Sequence, residues 1–185
     1  MDLSQARHAF VSGGASGLGL GIADALAARG LAVTLADIDA ETLASVAAER
    51  GERFRGQVLD TRDREGWERA RAEAEAAFGP VDVLINNASI APNWLELADM
   101  PPESFDRIVS INLTGVYNGV WAFAAAMRAR SAGHIVNTSS QAGLSISAPR
   151  IGPYAVAKYG VMALSEALRL ELAPHGVGVS VLCPG

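Results

Sequence analysis

The sequence has few residues that could crosslink the chain or bind a metal ion. Its one cysteine, Cys183, can form neither a disulfide within the chain nor a cysteine metal site. The histidines His8, His134 and His175 lack the short spacings of metal ligands. We therefore expect no metal, ordinary packing or surface roles for the histidines, and a cytoplasmic location, because no disulfide framework points to an oxidising compartment.

The sequence also lacks clusters of positive charge. Its 15 lysines and arginines are dispersed among 20 acidic residues, for a formal charge of -5, whereas nucleic-acid binding needs grouped cations. The N-terminus has no basic segment followed by a long apolar one, so no signal peptide is expected. No uninterrupted apolar stretch approaches the length of a membrane span. The sequence thus predicts neither a nucleic-acid partner nor a membrane partner.

The composition is that of a folded protein. Half of the 185 residues are hydrophobic and 19% are charged, and no low-complexity tract interrupts them. This length can bury a sizeable core and fits a single domain. No segment reads as a linker, so we expect one domain over residues 1–185.

Short apolar runs alternate with longer helical patterns along the whole chain. Alternation of this kind is typical of βαβ units with right-handed crossovers, and it predicts a three-layer, Rossmann-like doubly wound parallel sheet. The predicted strands are 9–13, 31–37, 53–60, 81–88, 134–140 and 177–183, and the predicted helices are 18–30, 40–50, 61–79, 101–130 and 152–172. Asp39 is an expected helix N-cap, and Gly30 an expected left-handed helix end.

A glycine-rich turn joins the first predicted strand to the first helix. Its glycines allow a tight turn and a close approach to a pyrophosphate, and the helix N-terminus supplies free N–H groups. A glycine-rich turn without a ligand, as in any α/β protein, is the alternative, whereas the absence of a following Lys-Ser or Lys-Thr pair disfavours a nucleoside-triphosphate loop. The predicted cofactor residues here are Gly13, Ser16, Gly17, Leu18 and Gly19.

Asp37 ends the second predicted strand, twenty residues beyond Gly17. A carboxylate at this place accepts hydrogen bonds from an adenosine ribose and repels a 2'-phosphate. Neither Ser16 nor Ile38 offers a compensating cation. The sequence therefore favours NAD over NADP, and the alternative is that Asp37 is only a turn residue.

Tyr154 and Lys158 are four residues apart on a predicted helix, so they share a face. A phenol that exchanges protons near neutral pH needs a pKa well below its usual 10, and a nearby ammonium lowers it. Two charges about 4 Å apart at an effective dielectric of about 20 interact by roughly 4 kcal/mol, or about three pKa units, as an upper limit that burial would reduce. The alternative is an exposed helix pair.

Ser140 ends the fifth predicted strand, fourteen residues before Tyr154. Its hydroxyl would face the same crevice as the glycine turn and could hydrogen-bond a substrate oxygen as charge develops. Ser139 and Ser140 as simple turn residues are the alternative.

Together with these residues, the segments SGGASGLG, LADID, LDTRD, NNAS, INLTGVYNG, HIVNTSSQAG, YAVAK and CPG resemble the main branch of the short-chain dehydrogenase/reductase family over essentially the whole chain. The resemblance implies reversible hydride transfer between NAD and a secondary alcohol or carbonyl substrate. By the same resemblance, Tyr154 would be the general acid and base, Ser140 would orient the substrate, and Lys158 would lower the tyrosine pKa and hold the nicotinamide ribose. The other implied roles are a water-holding Asn112, an adenine contact by Asp60 with Thr61 beside it, a cleft-lining Asn87, and a nicotinamide contact by Pro184 and Gly185.

The sequence departs from the family pattern in three ways. Ser12 replaces the more usual threonine, and Ser89 replaces the glycine of NNAG, which makes close packing of that loop on the cofactor less certain. Family members continue beyond the position of Gly185 through a substrate lid and a seventh strand. We therefore expect an enzyme of which this sequence is the part up to the sixth strand.

Other functions and features stay open at this point. A non-catalytic nucleotide-binding module that ends at Gly185 and an epimerase of the extended branch of the family are the alternatives. By resemblance, a homodimer or homotetramer would form through the fourth and fifth predicted helices, although burial within one chain explains much of the same apolar pattern. Trp94 and the segment 144–152 hint at an apolar pocket wall, or at core packing.

Overall fold

The structure, a computed structural model, describes residues 3–185 and contains a six-stranded parallel sheet. The strand order is β3-β2-β1-β4-β5-β6, with every neighbouring pair parallel. This topology confirms the predicted Rossmann-like doubly wound fold. The strands are β1 His8–Ser12, β2 Ala32–Asp37, β3 Phe54–Val58, β4 Val83–Asn86, β5 His134–Thr138 and β6 Gly178–Leu182.

Helices connect the strands and cover both faces of the sheet. The helices are α1 Gly17–Ala27, α2 Ala40–Arg50, α3 Arg64–Phe78, α4 Pro102–Val109, α5 Gly115–Ala129 and α6 Gly152–Leu172. The local signals agree with the sequence, since Asp39 accepts a hydrogen bond from the Thr42 N–H at 3.1 Å and Gly30 has a φ of +94°. The predicted helix over 101–130 differs, because a π-helical turn over Ser110–Thr114 separates α4 from α5.

Two apolar clusters hold the helices onto the sheet, one on each face. Phe10 packs against Trp67 of α3 and Phe123 of α5, with ring centroids 5.7 and 5.1 Å apart. Its neighbour Val11 belongs to the opposite cluster, which contains Leu26 of α1. Successive side chains of a strand point to opposite faces, so continuous apolar strands are expected where helices cover both.

One expectation about apolar length needs correction. The helical segment from Pro102 to Ala129 is long and apolar enough to cross a membrane by length and composition. Half of its most apolar window is buried inside the protein, as expected for a core helix. Its buried residue Phe123 packs against Trp67 of α3 and Phe10 of the sheet, so the segment is no evidence of a membrane span.

Candidate functional site

A cleft of about 420 Å³ lies at the carboxyl ends of β1, β2 and β4. Parallel strands direct their C-terminal loops to the same edge of the sheet, and ligands bind there where the strand order reverses. In this sheet the reversal lies between β1 and β4. Eight of the residues predicted to bind the cofactor line the cleft: Gly13, Ser16, Gly17, Leu18, Asp37, Asp60, Thr61 and Asn87.

The glycine turn is packed too tightly for side chains at two of its positions. A Cβ atom on Gly19 would lie 2.0 Å from the carbonyl oxygen of Gly13, and one on Gly13 would lie 2.8 Å from the Cα of Ala88. Gly13 also has a φ of +64°, a region that side chains disfavour. Asn87 Nδ2 donates to the Gly13 oxygen at 3.3 Å. The glycines therefore allow the turn, α1 and the loop after β4 to meet.

The N-terminus of α1 opens toward this cleft. Ser16 is the N-cap residue, and its side chain makes no capping hydrogen bond. The first N–H groups of a helix have no partner within the helix, and together with the helix dipole they favour an anion. Ser16, Gly17 and Leu18 line the cleft, so the turn fits the pyrophosphate of a dinucleotide.

Asp37 accepts hydrogen bonds from two turns beside the cleft. Its Oδ2 accepts from the Ala15 N–H at 3.1 Å, and its Oδ1 accepts from the Asp39 N–H at 3.2 Å. Asp37 is thus a turn residue, as in the alternative interpretation, and it also lines the cleft. Each carboxylate oxygen has a second lone pair, so Asp37 retains acceptor positions for a ligand.

Asp60 follows the neighbouring strand β3, lines the same cleft and is paired with an arginine. Both of its oxygens accept from Arg62 Nε at 3.0 Å, and this hydrogen bonding lowers the pKa of Asp60. The carbonyl oxygen of the adjacent Thr61 accepts from Trp67 Nε1 and Asn118 Nδ2, each at 2.9 Å. These contacts anchor the loop after β3 to α3 and α5.

A second cleft of about 470 Å³ adjoins the first, and Ser89 and Ile90 line both. Ser140, Tyr154 and Gly185 also line this second cleft. The loop after β4 therefore separates the glycine turn from the tyrosine, so a ligand that extends past Ser89 reaches both clefts.

Tyr154 and Lys158 lie on the same side of α6, as their spacing predicts. Lys158 Nζ is 5.5 Å from the centroid of the Tyr154 ring and donates to the Thr138 oxygen at 2.9 Å. The Lys158 side chain is only 1% exposed, so the alternative of an exposed helix pair is wrong. Burial lowers the pKa of Lys158 to about 8, which leaves the ammonium largely charged at neutral pH.

The low pKa of Lys158 predicts a specific dependence of stability on pH. The native pKa is about 8 and the ordinary value is 10.5, so the unfolded chain holds this proton more tightly. The destabilisation of the folded state by the buried ammonium is at its full value below pH 8, and it is lost as the pH rises toward 10.5. Relative to Lys158→Met, the free energy of unfolding of the wild type should therefore rise by about 3 kcal/mol across this window.

Urea unfolding of both proteins between pH 7 and 11 measures this difference, in which groups that do not contact Lys158 cancel. Lys158 is the one lysine in the sequence, so the titration of its Cε resonance by NMR gives its pKa directly. A resonance midpoint at the ordinary value of a lysine would contradict the prediction.

Ser140 and Ser139 make different local contacts. Ser140 Oγ accepts from the Ala142 N–H at 3.1 Å, as a turn residue does, and its own hydroxyl proton stays free to donate into the second cleft. Ser139 Oγ donates to the Lys158 oxygen at 2.8 Å. Ser139 therefore ties the end of β5 to α6, whereas Ser140 lines the second cleft.

Asn112 lies in the π-helical turn and is fully buried. Its Oδ1 accepts from the Ile90 N–H at 2.8 Å, and its Nδ2 donates to the Ile90 oxygen at 2.9 Å. The side chain thus holds the loop that the two clefts share. An amide keeps one further donor and one further acceptor position, so the water-holding role of Asn112 stays a prediction.

Three predicted site residues take positions beside the clefts or within one of them. Gly19 is buried beneath the turn and lines neither cleft. Pro184 also lines neither, and its oxygen accepts from the Gln141 N–H at 2.7 Å. Gly185 lines the second cleft. Among residues 3–185 there is no group of three or more metal-ligand side chains.

The structure gives Ser12 a contact that the sequence did not predict, and it adds further residues to the first cleft. Ser12 Oγ accepts from the N–H groups of Asn87 and Ala88 at 3.1 and 3.3 Å, so it joins the turn to the loop after β4. In the sequence Ser12 is visible only as a strand-end hydroxyl that replaces the usual threonine. The additional residues that line the first cleft are Ile38, Leu59, Arg62, Ala88, Ser89, Ile90, Arg107 and Ile111.

Comparisons with known proteins identify relatives of the chain. Residues 7–185 match the family model described as short chain dehydrogenase. A C alpha-dehydrogenase of Sphingobium sp. (strain NBRC 103272 / SYK-6) is 39% identical over 184 residues, covering 97% of this chain and 60% of that enzyme. A D-beta-hydroxybutyrate dehydrogenase of Cupriavidus necator is 35% identical over 182 residues, covering 97% of this chain and 70% of that enzyme.

Solved structures give the same result. A short chain dehydrogenase/reductase from Burkholderia phymatum in complex with NAD has a TM-score of 0.93 at 33% identity, covering 100% of this chain and 67% of that one. The chain therefore spans about two thirds of the length of this protein, and 60% of the length of the Sphingobium enzyme.

Proposed function

The chain belongs to the short-chain dehydrogenase family of oxidoreductases, and we propose that it transfers a hydride between NAD(H) and a secondary alcohol or carbonyl compound. The observation that carries the proposal is the placement of Tyr154 and Ser140 on a cleft that adjoins the glycine turn through the shared loop at Ser89 and Ile90. A hydroxyl and a phenol thus line a cleft that adjoins the one formed by the glycine turn.

The proposed chemistry assigns one task to each side chain. When bound, NAD would accept the hydride from the alcohol carbon, or NADH would supply one to the carbonyl carbon. Tyr154 takes the hydroxyl proton during oxidation and returns it during reduction. The Lys158 ammonium favours the phenolate form of Tyr154, and the Ser140 hydroxyl donates a hydrogen bond to the substrate oxygen.

The other chain residues would hold the cofactor. The N–H groups at the start of α1 would bind the pyrophosphate, and Asp37 would accept from the adenosine ribose. Asp60 and Thr61 would flank the adenine, with Asn87 along the cleft and Pro184 and Gly185 toward the nicotinamide. Asn112 would hold a water in the proton path.

A cofactor titration tests this function. Addition of NADH to the chain at neutral pH should change the NADH fluorescence with saturation, because a bound nicotinamide ring is less exposed to water than a free one. A screen of secondary alcohols with NAD, followed by NADH absorbance, should then find oxidation. A chain that binds no NADH would overturn the proposal.

Asp37 gives a sharper prediction about the choice of cofactor. Its negative charge should repel the 2'-phosphate of NADPH, so that Asp37→Asn lowers the ratio of the NADPH to NADH dissociation constants about tenfold. Fluorescence titrations with both cofactors measure the ratio. Asp63→Asn is a matched control, since Asp63 precedes α3 without a side-chain capping hydrogen bond and does not line the first cleft.

The relative affinity for NADPH and NADH also depends on a cation of the cleft that the sequence pattern does not reveal. Arg107 lines the same cleft as Asp37 and has no ion-pair partner within the described residues. If the wild type binds NADPH as tightly as NADH, Arg107 outweighs Asp37 and the preference for NAD is wrong.

Association through α5 and α6 is part of the proposal. Tyr117 and Trp121 of α5 and Val156 and Tyr159 of α6 are all exposed by more than two fifths of their surface. Burial of such side chains favours association, and we propose a homodimer or homotetramer formed by these helices. Residues 1–185 as one domain and a cytoplasmic location complete the proposal.

A further inference from the structure

The second cleft has an uncharged and largely apolar wall. Ile90, Pro92, Trp94 and Ile151 contribute apolar side chains to it, and no charged side chain of residues 3–185 lines it. The nearby Lys158 ammonium does not line the cleft and donates to the Thr138 oxygen, so a carboxylate or phosphate group here would lose hydration without an ion pair to a wall residue. The wall therefore favours a substrate that is uncharged near the reacting carbon.

Trp94 has the largest side chain on this wall, and much of its surface is exposed to solvent. It is 60% exposed and its φ is +59°, a backbone conformation that is unfavourable for a bulky residue. Such strain persists where the surrounding structure imposes it, and it is common at ligand sites. The chain thus maintains an exposed indole inside a cleft at an energetic cost.

Two contacts join the segment that carries Trp94 to the segment that precedes Tyr154. Arg150 Nη2 lies 2.7 Å from Glu96 Oε1, although both side chains are more than half exposed and this pair adds little stability. Leu97 packs on Gly152, where a Cβ atom would lie 2.6 Å from the Leu97 side chain. The position of the indole is therefore linked to the start of α6 and hence to Tyr154.

We propose that Trp94 binds an aromatic ring of the substrate, so that the enzyme acts on uncharged aryl-substituted secondary alcohols or the corresponding ketones. This inference rests on the proposed hydride transfer, in which the alcohol carbon gives its hydride to NAD and the hydroxyl gives its proton to Tyr154. A cleft of about 470 Å³ is within the range of small-ligand sites. An aryl ring gains from offset-stacked or edge-to-face packing on an indole, beyond the area it buries.

Three alcohols of graded shape test the inference with NAD as the oxidant. 1-Phenylethanol carries the ring, 1-cyclohexylethanol has a similar size without aromaticity, and 2-butanol has only an ethyl group in place of the ring. We expect Trp94→Ala to raise the KM for 1-phenylethanol about tenfold with little change in kcat. The KM for 1-cyclohexylethanol should rise less, and the KM for 2-butanol should not change.

Two further variants separate recognition from general damage. Trp94→Phe keeps an aromatic face and should restore most of the affinity for 1-phenylethanol. Val58→Ala removes an apolar side chain that is 64% exposed on β3 and does not line the cleft, so all three KM values should stay at the wild-type level. An equal rise for 2-butanol and 1-phenylethanol in Trp94→Ala would overturn the inference.

A binding measurement keeps the inference distinct from the proposed reaction. If the wild type oxidises none of the three alcohols, hydride transfer to this class fails, and calorimetry of acetophenone with the NADH-treated chain decides about Trp94. Acetophenone binding that weakens about tenfold in Trp94→Ala would support the aromatic site on its own. Equal binding by both proteins, or none by the wild type, would overturn it.

Discussion

Replacement of Tyr154 by phenylalanine should lower kcat for any secondary alcohol that the enzyme oxidises by about a thousandfold, because positioned acid–base groups contribute effects of this size. The phenyl ring remains beside Lys158 Nζ, which lies 5.5 Å from the ring centroid, so packing should change little. NADH affinity should therefore stay close to that of the wild type. We therefore expect Tyr154→Phe to form NADH about a thousandfold more slowly and to give the same NADH fluorescence titration as the wild type.

A neighbouring tyrosine provides the control for this experiment. Tyr159 also lies on α6, is 41% exposed and lines neither cleft. Tyr159→Phe should leave kcat and NADH affinity unchanged. Retained turnover in Tyr154→Phe would remove Tyr154 from the acid–base role, while a joint loss of turnover and NADH binding would indicate structural damage.

Addition of one methyl group at Gly19 should abolish measurable NADH binding. The new Cβ would lie 2.0 Å from the Gly13 oxygen and 2.6 Å from Asn87 Nδ2, so α1 must shift away from the turn. Overpacking of this kind lowers the free energy of unfolding by about 1–3 kcal/mol. Urea unfolding and NADH titration of Gly19→Ala measure both effects.

Gly21→Ala is a matched control two residues along the same helix. A Cβ atom on Gly21 would meet nothing within 4 Å, so the substitution only replaces a glycine in a helix interior. We expect it to raise the free energy of unfolding by about 0.4–1 kcal/mol and to leave NADH binding intact. If Gly19→Ala binds NADH as the wild type does, the close packing of the turn is not what forms the cofactor site.

The fold followed from the sequence because its signals are local and periodic. Apolar strands that are buried on both faces read as short continuous runs, and capping residues such as Asp39 mark where helices begin. The division between α4 and α5 did not follow, since the π-helical turn at Ser110–Thr114 leaves the apolar pattern nearly unchanged. The contact that this turn makes is with a distant segment, through the hydrogen bonds of the Asn112 side chain to the backbone of Ile90.

The site residues could be predicted where a residue type at a strand end or on a helix face has a well-defined chemical role. Glycines at a strand-to-helix turn and a tyrosine four residues before a lysine are of this kind. The lining residues Arg107 and Ile111 are one helical turn apart, but nothing local tells which face of the helix meets the cleft. The link from Ser12 to the loop after β4 joins residues about 75 positions apart, which spacing alone cannot reveal.

The sequence by itself determined the order of strands and helices, the glycine turn and the set of chemical groups, because these depend on residue identity and short-range periodicity. Only the tertiary structure decided the burial of Lys158, and with it a pKa of about 8, because desolvation arises from distant parts of the chain. It also decided that Trp94 lines the same cleft as Tyr154, since residues sixty positions apart reach one cleft only because the segments after β4 and β5 lie at the same edge of the sheet.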